Sequence, residues 1–463
     1  MQTRPDGTMN GSALVSIRGL KTYYSIRGSF VDRLIGREAG SVKAVDDVSL
    51  DIQKGEVLGL VGESGSGKTT LGRTLLGLVQ ATEGSIEFDG RDVTRMSERE
   101  LRALRREVQV VFQDPHASLN PAMTIEQSVV HPLQIHRIGT PGERRRRVAE
   151  TLETVGLAPA EQFMDKYPSD LSGGQKQRAV IARALILNPV LLVADEPVSM
   201  LDMSVRAKIL ELMLDLRREF DLTYLYITHD LATAKFFCDR IAILYLGRIV
   251  EIGPAEAIYE SPKHPYTQAL LRAIPEPDPL RSVPRDVPRG EIPDAARPPL
   301  GCSFHPRCPK AFEVCGWETR DLRDLLETRW AYEAEEEFEA ERATLGDLGA
   351  LDAPRSKARL KAGSGRSGSD VLSLLETIRG EDPDEPFWTG VKRMKTDDGH
   401  VEVEWHEPVP PRPLPEGEVT VECHLYDQNA LAEAERRRTE RVAASGRPSP
   451  RDDGRLLDEV TRD

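Results

Sequence analysis

The 463-residue chain lacks any apolar run long enough for a membrane span, which takes about 18 residues or more. Its longest candidates, such as Ile241 to Leu246, have the length of buried strands. The first residues, Met1-Gln2-Thr3-Arg4-Pro5-Asp6, lack the apolar core of a secretory signal, so the chain is expected inside the cell. Basic charge is short: 62 Lys and Arg stand against 76 Asp and Glu, for a formal net charge of −14. That balance argues against nucleic acid as a partner. The local basic run Arg144 to Arg147 falls on a helix-like stretch and reads as a solvated face. Cysteine is scarce too, with Cys238, Cys302, Cys308, Cys315 and Cys423 only. In an intracellular chain these do not make a disulfide framework. There is no internal repeat.

One short segment carries the strongest signal. Gly62-Glu63-Ser64-Gly65-Ser66-Gly67-Lys68-Thr69 follows the apolar run Val57 to Val61 and precedes a helix-like stretch from Thr70. Strand, glycine loop and helix in that order make a phosphate cradle. The glycines let consecutive backbone N–H groups turn toward one anion, and the helix start adds a favourable dipole. Lys68 can reach the β- and γ-phosphates, and Thr69 offers a hydroxyl to Mg²⁺. A plain glycine-rich connection is the competing reading.

The partners of a phosphate loop decide its class. Asp195 and Glu196 close the apolar run Leu191 to Ala194, which puts carboxylates at the carboxyl edge of a sheet. Asp195 suits Mg²⁺. Glu196 can polarise a water for in-line attack on the γ-phosphate. Leu171-Ser172-Gly173-Gly174-Gln175 precedes a helical run, with Ser172 as N-cap and two glycines that free the backbone for an anion. Alone, it would read as a capped helix after a loop.

In this combination the chain resembles the nucleotide-binding subunits of ATP-binding cassette (ABC) transporters. Gly62 to Thr69 resembles the family's Walker A loop, with Thr70 following, and Leu171 to Gln175 its signature. Leu191 to Glu196 resembles Walker B. The resemblance makes Glu196 the catalytic glutamate, with Lys68 and His229 beside it in the chemistry. Gln113, in Val111-Phe112-Gln113-Asp114-Pro115, matches the Q-loop, which senses Mg²⁺ and the membrane partner. Asp202, in Ser199-Met200-Leu201-Asp202, matches the D-loop, although the family commonly has Ala where Met200 stands. His229, in Ile227-Thr228-His229-Asp230, matches the switch histidine. Tyr24 is the choice for the aromatic that stacks on adenine, and Tyr23 is the alternative. Thr69, Gln113 and Asp195 form the implied Mg²⁺ set. The resemblance implies a head-to-tail dimer, with ATP between Lys68 of one subunit and a Ser172-type serine of the other. Soluble ABC proteins of DNA repair carry a long coiled coil before the signature. Here only about 100 residues separate Gly67 from Leu171. Translation types usually hold two cassettes, and this chain has one.

Three further segments resemble the oligopeptide/dipeptide importers within that family. They are Gln113 to Pro121, Ser261 to Leu271, and Gly301-Cys302-Ser303-Phe304-His305-Pro306-Arg307-Cys308-Pro309 with Cys315 beyond. The resemblance implies two transmembrane permeases, a second ABC ATPase subunit and, indirectly, an extracellular solute-binding protein. It places the chain on the cytoplasmic face of the membrane, peripherally, with peptides as cargo or, alternatively, nickel or another small solute. Family members have a fourth cysteine, often followed by His, and Cys423-His424 fits although it lies far downstream. Five residues separate Cys302 from Cys308 and six separate Cys308 from Cys315, which is not a zinc-ribbon spacing. Cys302, Cys308, Cys315 and Cys423 could hold an iron–sulfur cluster, [4Fe-4S] in some members, or a zinc ion, or remain plain thiols.

The expected fold is an α/β P-loop NTPase (ABC ATPase) with a helical subdomain, followed by a small irregular cysteine-containing domain. Residues 12–262 are expected as the cassette and 263–319 as the C-terminal region with the cysteines. Residues 320–400 read as a charged insertion, 401–428 as the return carrying Cys423, and 429–463 as a disordered tail. Gly363 to Ser369 reads as a flexible linker, and Leu14 to Ile17 as the start of an edge strand.

Overall fold

The computed structural model describes residues 13–26, 40–274, 290–383, 385–397 and 399–445. Much of the proline-rich stretch from Pro275 and the end of the expected tail lie outside these residues. The chain divides into two compact units, Met1–Ser261 and Pro262–Asp463.

The first unit is built on buried strands. β1 (Ala13–Ser25) and β2 (Ser41–Gln53) lead into β3 (Val57–Val61), β4 (Glu83–Phe88), β5 (Arg91–Asp92) and β6 (Val108–Val111). Then come β7 (Leu191–Asp195), β8 (Thr223–Thr228), β9 (Arg240–Tyr245) and β10 (Arg248–Pro254). Strands β9, β3, β8, β7 and β6 run parallel in that order. β10 adds antiparallel to β9. Every residue of β3, β7 and β8 is buried, as expected of parallel strands covered on both faces.

A second, antiparallel sheet orders β2-β1-β4-β5. Leu14 to Ile17 therefore begins an interior strand, not an edge strand. Its alternating burial fits an edge or an interior position equally, and only the long-range pairing with β2 and β4 decides. Helix α1 (Lys68–Leu75) belongs to the core that joins both sheets. Its Leu71 and Leu75 cluster with Leu58 and Leu60 of β3 and with Val15 and Ile17 of β1.

Between β6 and β7 the chain is helical. α2 (Ile125–Ile135), α3 (Pro141–Thr154) and α4 (Gly173–Leu185) each open with a reciprocal capping box, through Thr124 and Gln127, Thr140 and Glu143, and Ser172 and Gln175. The two further helices used below are α5 (Met203–Phe220) and α6 (Leu231–Phe237).

The second unit opens with α7 (Pro265–Arg272), capped by His264, whose Nδ1 accepts the Tyr266 N–H at 3.1 Å. The stretch expected as a charged insertion has a core. α8 (Thr319–Trp330), α9 (Glu335–Leu345) and α10 (Gly368–Glu381) accompany a three-stranded antiparallel sheet. In it β13 (His400–Trp405) runs between β11 (Lys357–Lys361) and β12 (Val391–Asp397). Leu322, Leu326, Leu360, Val371, Leu375, Val401 and Val403 are fully buried or nearly so. Phe387 sits among Trp317, Trp388 and Trp405, with ring centroids 5.9, 5.0 and 6.2 Å away. Its charged residues alternate with this apolar set, so composition alone hides the core.

Gly363 to Ser369 is likewise no free linker. A Cβ on Gly363 would collide with the Ala343 carbonyl oxygen, and Ser367 caps α10. After the hairpin of β14 (Pro413–Glu416) and β15 (Val419–Glu422), helix α11 (Gln428–Ser445) occupies the start of the expected disordered tail. Arg437 anchors it, donating from Nη1 to the Glu313 carbonyl at 3.1 Å.

Candidate nucleotide site

Register puts the site together. Val61, the last residue of β3, pairs with Thr228, and Asp195, the last of β7, pairs with Ile227. Three strands thus end level, and Gly62, Glu196 and His229 follow directly on that edge. This is where open α/β sheets bind ligands.

Gly67, in the phosphate loop, has φ of 102°, and a Cβ there would strike the Ala44 carbonyl oxygen. Lys68 is buried and donates from Nζ to the Gly62 and Glu63 carbonyls at 2.7 and 2.8 Å, closing the loop on itself. Burial pulls its ammonium below the ordinary lysine range, while Glu196, Asp195 and Glu63 oppose that shift.

Thr69 donates from Oγ1 to Asp195 Oδ1 at 3.1 Å, so a hydroxyl and a carboxylate converge as a hard cation requires. Burial raises the Asp195 carboxyl above its usual range, and the Thr69 hydrogen bond acts against this. Glu196 stands next in the chain with φ of 47°, an uncommon left-handed conformation for a non-glycine residue. Its Oε2 accepts from Gln113 Nε2 at 3.0 Å, and its Oε1 lies 3.0 Å from His229 Nδ1. Residues from two separate segments thus aim one carboxylate.

Ser172 caps α4, accepting the Gln175 N–H at 3.4 Å, while Gln175 Oε1 accepts the Ser172 N–H at 3.0 Å. Gly174 leaves room for Val205 in the first turn of α5, where a Cβ would come within 2.6 Å of the Val205 methyl. Asp202 caps that turn, accepting the Val205 N–H at 3.0 Å. The signature and D-loop residues therefore pack together. Their hydrogen bonds run to each helix start, whereas those of Lys68, Thr69, Asp195, Glu196, Gln113 and His229 tie the phosphate-loop edge. Tyr24 is exposed on β1, whereas the Tyr23 hydroxyl donates to Asp46. Sequence reasoning does not single out Arg206, one arginine among several on α5. It donates to the Leu201 carbonyl and pairs with Asp230.

The four downstream cysteines lie in the second unit. Cys302, Cys308, Cys315 and Cys423 are buried thiols lining one small pocket with Phe304 and Phe312. Burial pushes the Cys315 thiol up, and the other three add to the shift. Among the described residues, no three His, Cys, Asp or Glu side chains are arranged to hold a metal ion. The described geometry therefore gives the expected iron–sulfur site no support. Cys238 stands apart, packed in the first unit against Gly59.

Comparison with known proteins identifies the family. Residues 45–199 match the family described as ABC transporter. Residues 250–315 match the family described as oligopeptide/dipeptide transporter, C-terminal region. A Brucella ovis protein named as a peptide import ATP-binding protein is 48% identical over 317 residues, covering 68% of this chain and 96% of that one. The Bacillus subtilis oligopeptide transport ATP-binding protein AppF is 47% identical over 318 residues, covering 68% and 95%. A solved dimeric ATP-binding cassette in a post-hydrolysis state, bound to ADP and Pi, shares 32% identity. It covers 52% of this chain and 98% of its own, with a TM-score of 0.46. Among the described residues no helix is long and apolar enough to cross a membrane. The chain belongs to the ABC transporter ATPases that carry the oligopeptide/dipeptide-type C-terminal region.

Proposed function

We propose that this subunit hydrolyses ATP at the Lys68–Asp195–Glu196–His229 edge to energise peptide uptake through two partner permeases. The observation that carries the reading is the aim of Glu196, held from both sides by Gln113 and His229 beside the Thr69–Asp195 pair. The loop amides of Gly62 to Gly67 and Lys68 hold the phosphates, and Tyr24 stacks on the base. Thr69, Asp195 and Gln113 hold Mg²⁺. Glu196 draws the proton of an attacking water, and His229 fixes its carboxylate and steadies the γ-phosphate.

A second ABC ATPase, a copy or a sister, supplies the signature residues Ser172, Gly173, Gly174 and Gln175 to this site, and receives the same service. Contacts to the γ-phosphate from both subunits are lost on hydrolysis, which drives an order-and-interface switch. The subunit works peripherally on the cytoplasmic face, with an extracellular solute-binding protein delivering cargo. Peptide cargo is supported by the names of its relatives; the cassette itself does not touch cargo. For the four thiols of Cys302, Cys308, Cys315 and Cys423, a structural [4Fe-4S] group and plain reduced thiols are the two readings to separate.

The test is Glu196→Gln in the subunit assembled with its permeases. Turnover is expected to fall about 10²-fold or more while ATP stays bound, as when a water-positioning base is removed. Unchanged turnover would refute the role. Uptake assays with labelled peptides and with Ni²⁺ decide the cargo. Iron and sulfide analysis with visible absorption decides the cluster, and a colourless, iron-free protein purified without air would refute it.

A further inference from the structure

One side chain joins the parts of the first unit that serve different nucleotides. Helix α5 begins directly after the D-loop, and its first turn has two faces in use. On one, Val205 packs into the space left by Gly174 of the signature helix. On the other, Arg206 reaches toward the switch loop. Its Nη1 donates to Asp230 Oδ2 at 3.3 Å, and its Nη2 donates to the Leu201 carbonyl at 3.4 Å.

Asp230 is used on both oxygens. Oδ1 accepts the Ala232 N–H at 2.9 Å and so caps α6, while Oδ2 takes Arg206. Its neighbour in the chain is His229, whose Nδ1 lies 3.0 Å from Glu196. A continuous path of contacts therefore runs from Gly174 and the D-loop, through the first turn of α5 and Arg206, to Asp230, His229 and Glu196. Arg206 touches no nucleotide-binding residue of the loop. At 28% exposure against 32% for Asp230, the pair is only partly shielded from water. A pair of that kind adds little to stability, so conservation of folding on its loss is expected. Its geometry, a fork spanning a backbone carbonyl and a carboxylate, suits positioning.

We infer that Arg206 is a positioning residue that couples the signature and D-loop of this chain to its own switch histidine. This rests on the reading that the signature serves the partner's ATP while His229 serves the chain's own. Closure of the signature on one nucleotide then shifts α5, and Arg206 carries the shift to the loop that aims Glu196 at the other. The two ATP sites are thereby linked inside each subunit.

The experiment uses the full-length subunit assembled with its permeases, in the wild type, R206Q, R206K, D230N and the R206Q/D230N double variant. D230N keeps the Oδ1 cap on α6 and removes the charge. R206Q and D230N should each lower kcat for ATP by about three- to thirty-fold, the range for residues that modulate coupling without touching ligand. KM should stay within about twofold, and the Hill coefficient for ATP should fall toward one. R206K should recover part of kcat, and the double variant should be no worse than the poorer single variant. Thermal unfolding should be unmoved, as a merely structural role would not allow.

Unchanged turnover in R206Q overturns the inference. So do losses that multiply in the double variant, and so does a raised KM at constant kcat. ATP-dependent pairing in the Glu196→Gln background tests the underlying reading separately. If pairing is absent, the shared-site reading fails, while the kcat ratio of R206Q to wild type still measures the tether.

Discussion

Two groups of carboxylates, one on the small sheet of the second unit and one at the nucleotide site of the first, are held in opposite ways. On the sheet of the second unit, Glu402 is held below the usual carboxylate range by Lys357 and Lys395, and Glu404 by Lys392 and Arg393. Arg329 pairs with Glu333, Glu341 and Glu381 in one cluster. In the first unit, Asp195 is raised by burial and held by a threonine hydroxyl, and Glu196 by a glutamine amide and an imidazole. A carboxylate satisfied by a fixed cation is content in the folded chain. One without a paired cation at hydrogen-bond distance leaves its oxygens open to a magnesium ion or a water. At the nucleotide site the unpaired arrangement marks the chemistry, and on the small sheet the ion-paired one marks architecture.

That contrast can be broken by mutation. For ATP binding the largest expected effect is at the phosphate loop. Gly67→Ala would force a Cβ against the Ala44 carbonyl at a φ that favours glycine, and ATP affinity measured by equilibrium titration should fall at least tenfold, an estimate of about 1.4 kcal/mol from loop strain. Next is Trp405→Ala in the second unit, which removes the largest fully buried side chain. It should cost that unit about 3–5 kcal/mol by denaturant unfolding while basal ATP turnover stays within about twofold. Retention of the second unit's stability would mean that the aromatic cluster is not its core.

Gly363→Ala should destabilise the same unit by about 1–3 kcal/mol through the clash with Ala343, and leave the nucleotide site alone. The smallest effect is on pH. The Asp195 carboxyl is raised in the folded state, so the folded chain takes up this proton before the unfolded chain does. Its burial therefore opposes folding above the raised pKa, and this opposition fades as pH falls. Mg²⁺ needs the ionised form. Apparent Mg²⁺ affinity should therefore fall as pH drops through a window above the ordinary aspartate value of about 3.9, approaching tenfold per unit below the raised pKa. Magnesium titrations across pH check this, and an onset at or below the ordinary value would contradict it.

How much of this was legible in the sequence follows from the same contrast. The ATP site is carried by short contiguous segments, each with its own local signature at a strand end or helix start. Gly62 to Thr69, Leu171 to Gln175 and Leu191 to Glu196 could be read one by one, and parallel pairing then levelled the first and the last. What could not be read was non-local. The antiparallel pairing that makes β1 an interior strand depends on β2 and β4. The core under residues 320–400 depends on Trp317, Phe387 and Trp405 meeting from distant positions, behind a composition dominated by charge. The same holds for Gly363, whose small size answers to the Ala343 carbonyl and not to linker flexibility. Arg206 was invisible because its meaning lies in the two loops it spans.

The division of labour between the units is tested most directly by magnesium-dependent ATP turnover, measured side by side in wild-type, Glu196→Gln and Trp405→Ala subunits assembled with their permeases. Turnover lost in Glu196→Gln and kept in Trp405→Ala is the expected result. Turnover kept in Glu196→Gln, or abolished in Trp405→Ala while the first unit stays folded, would contradict the account.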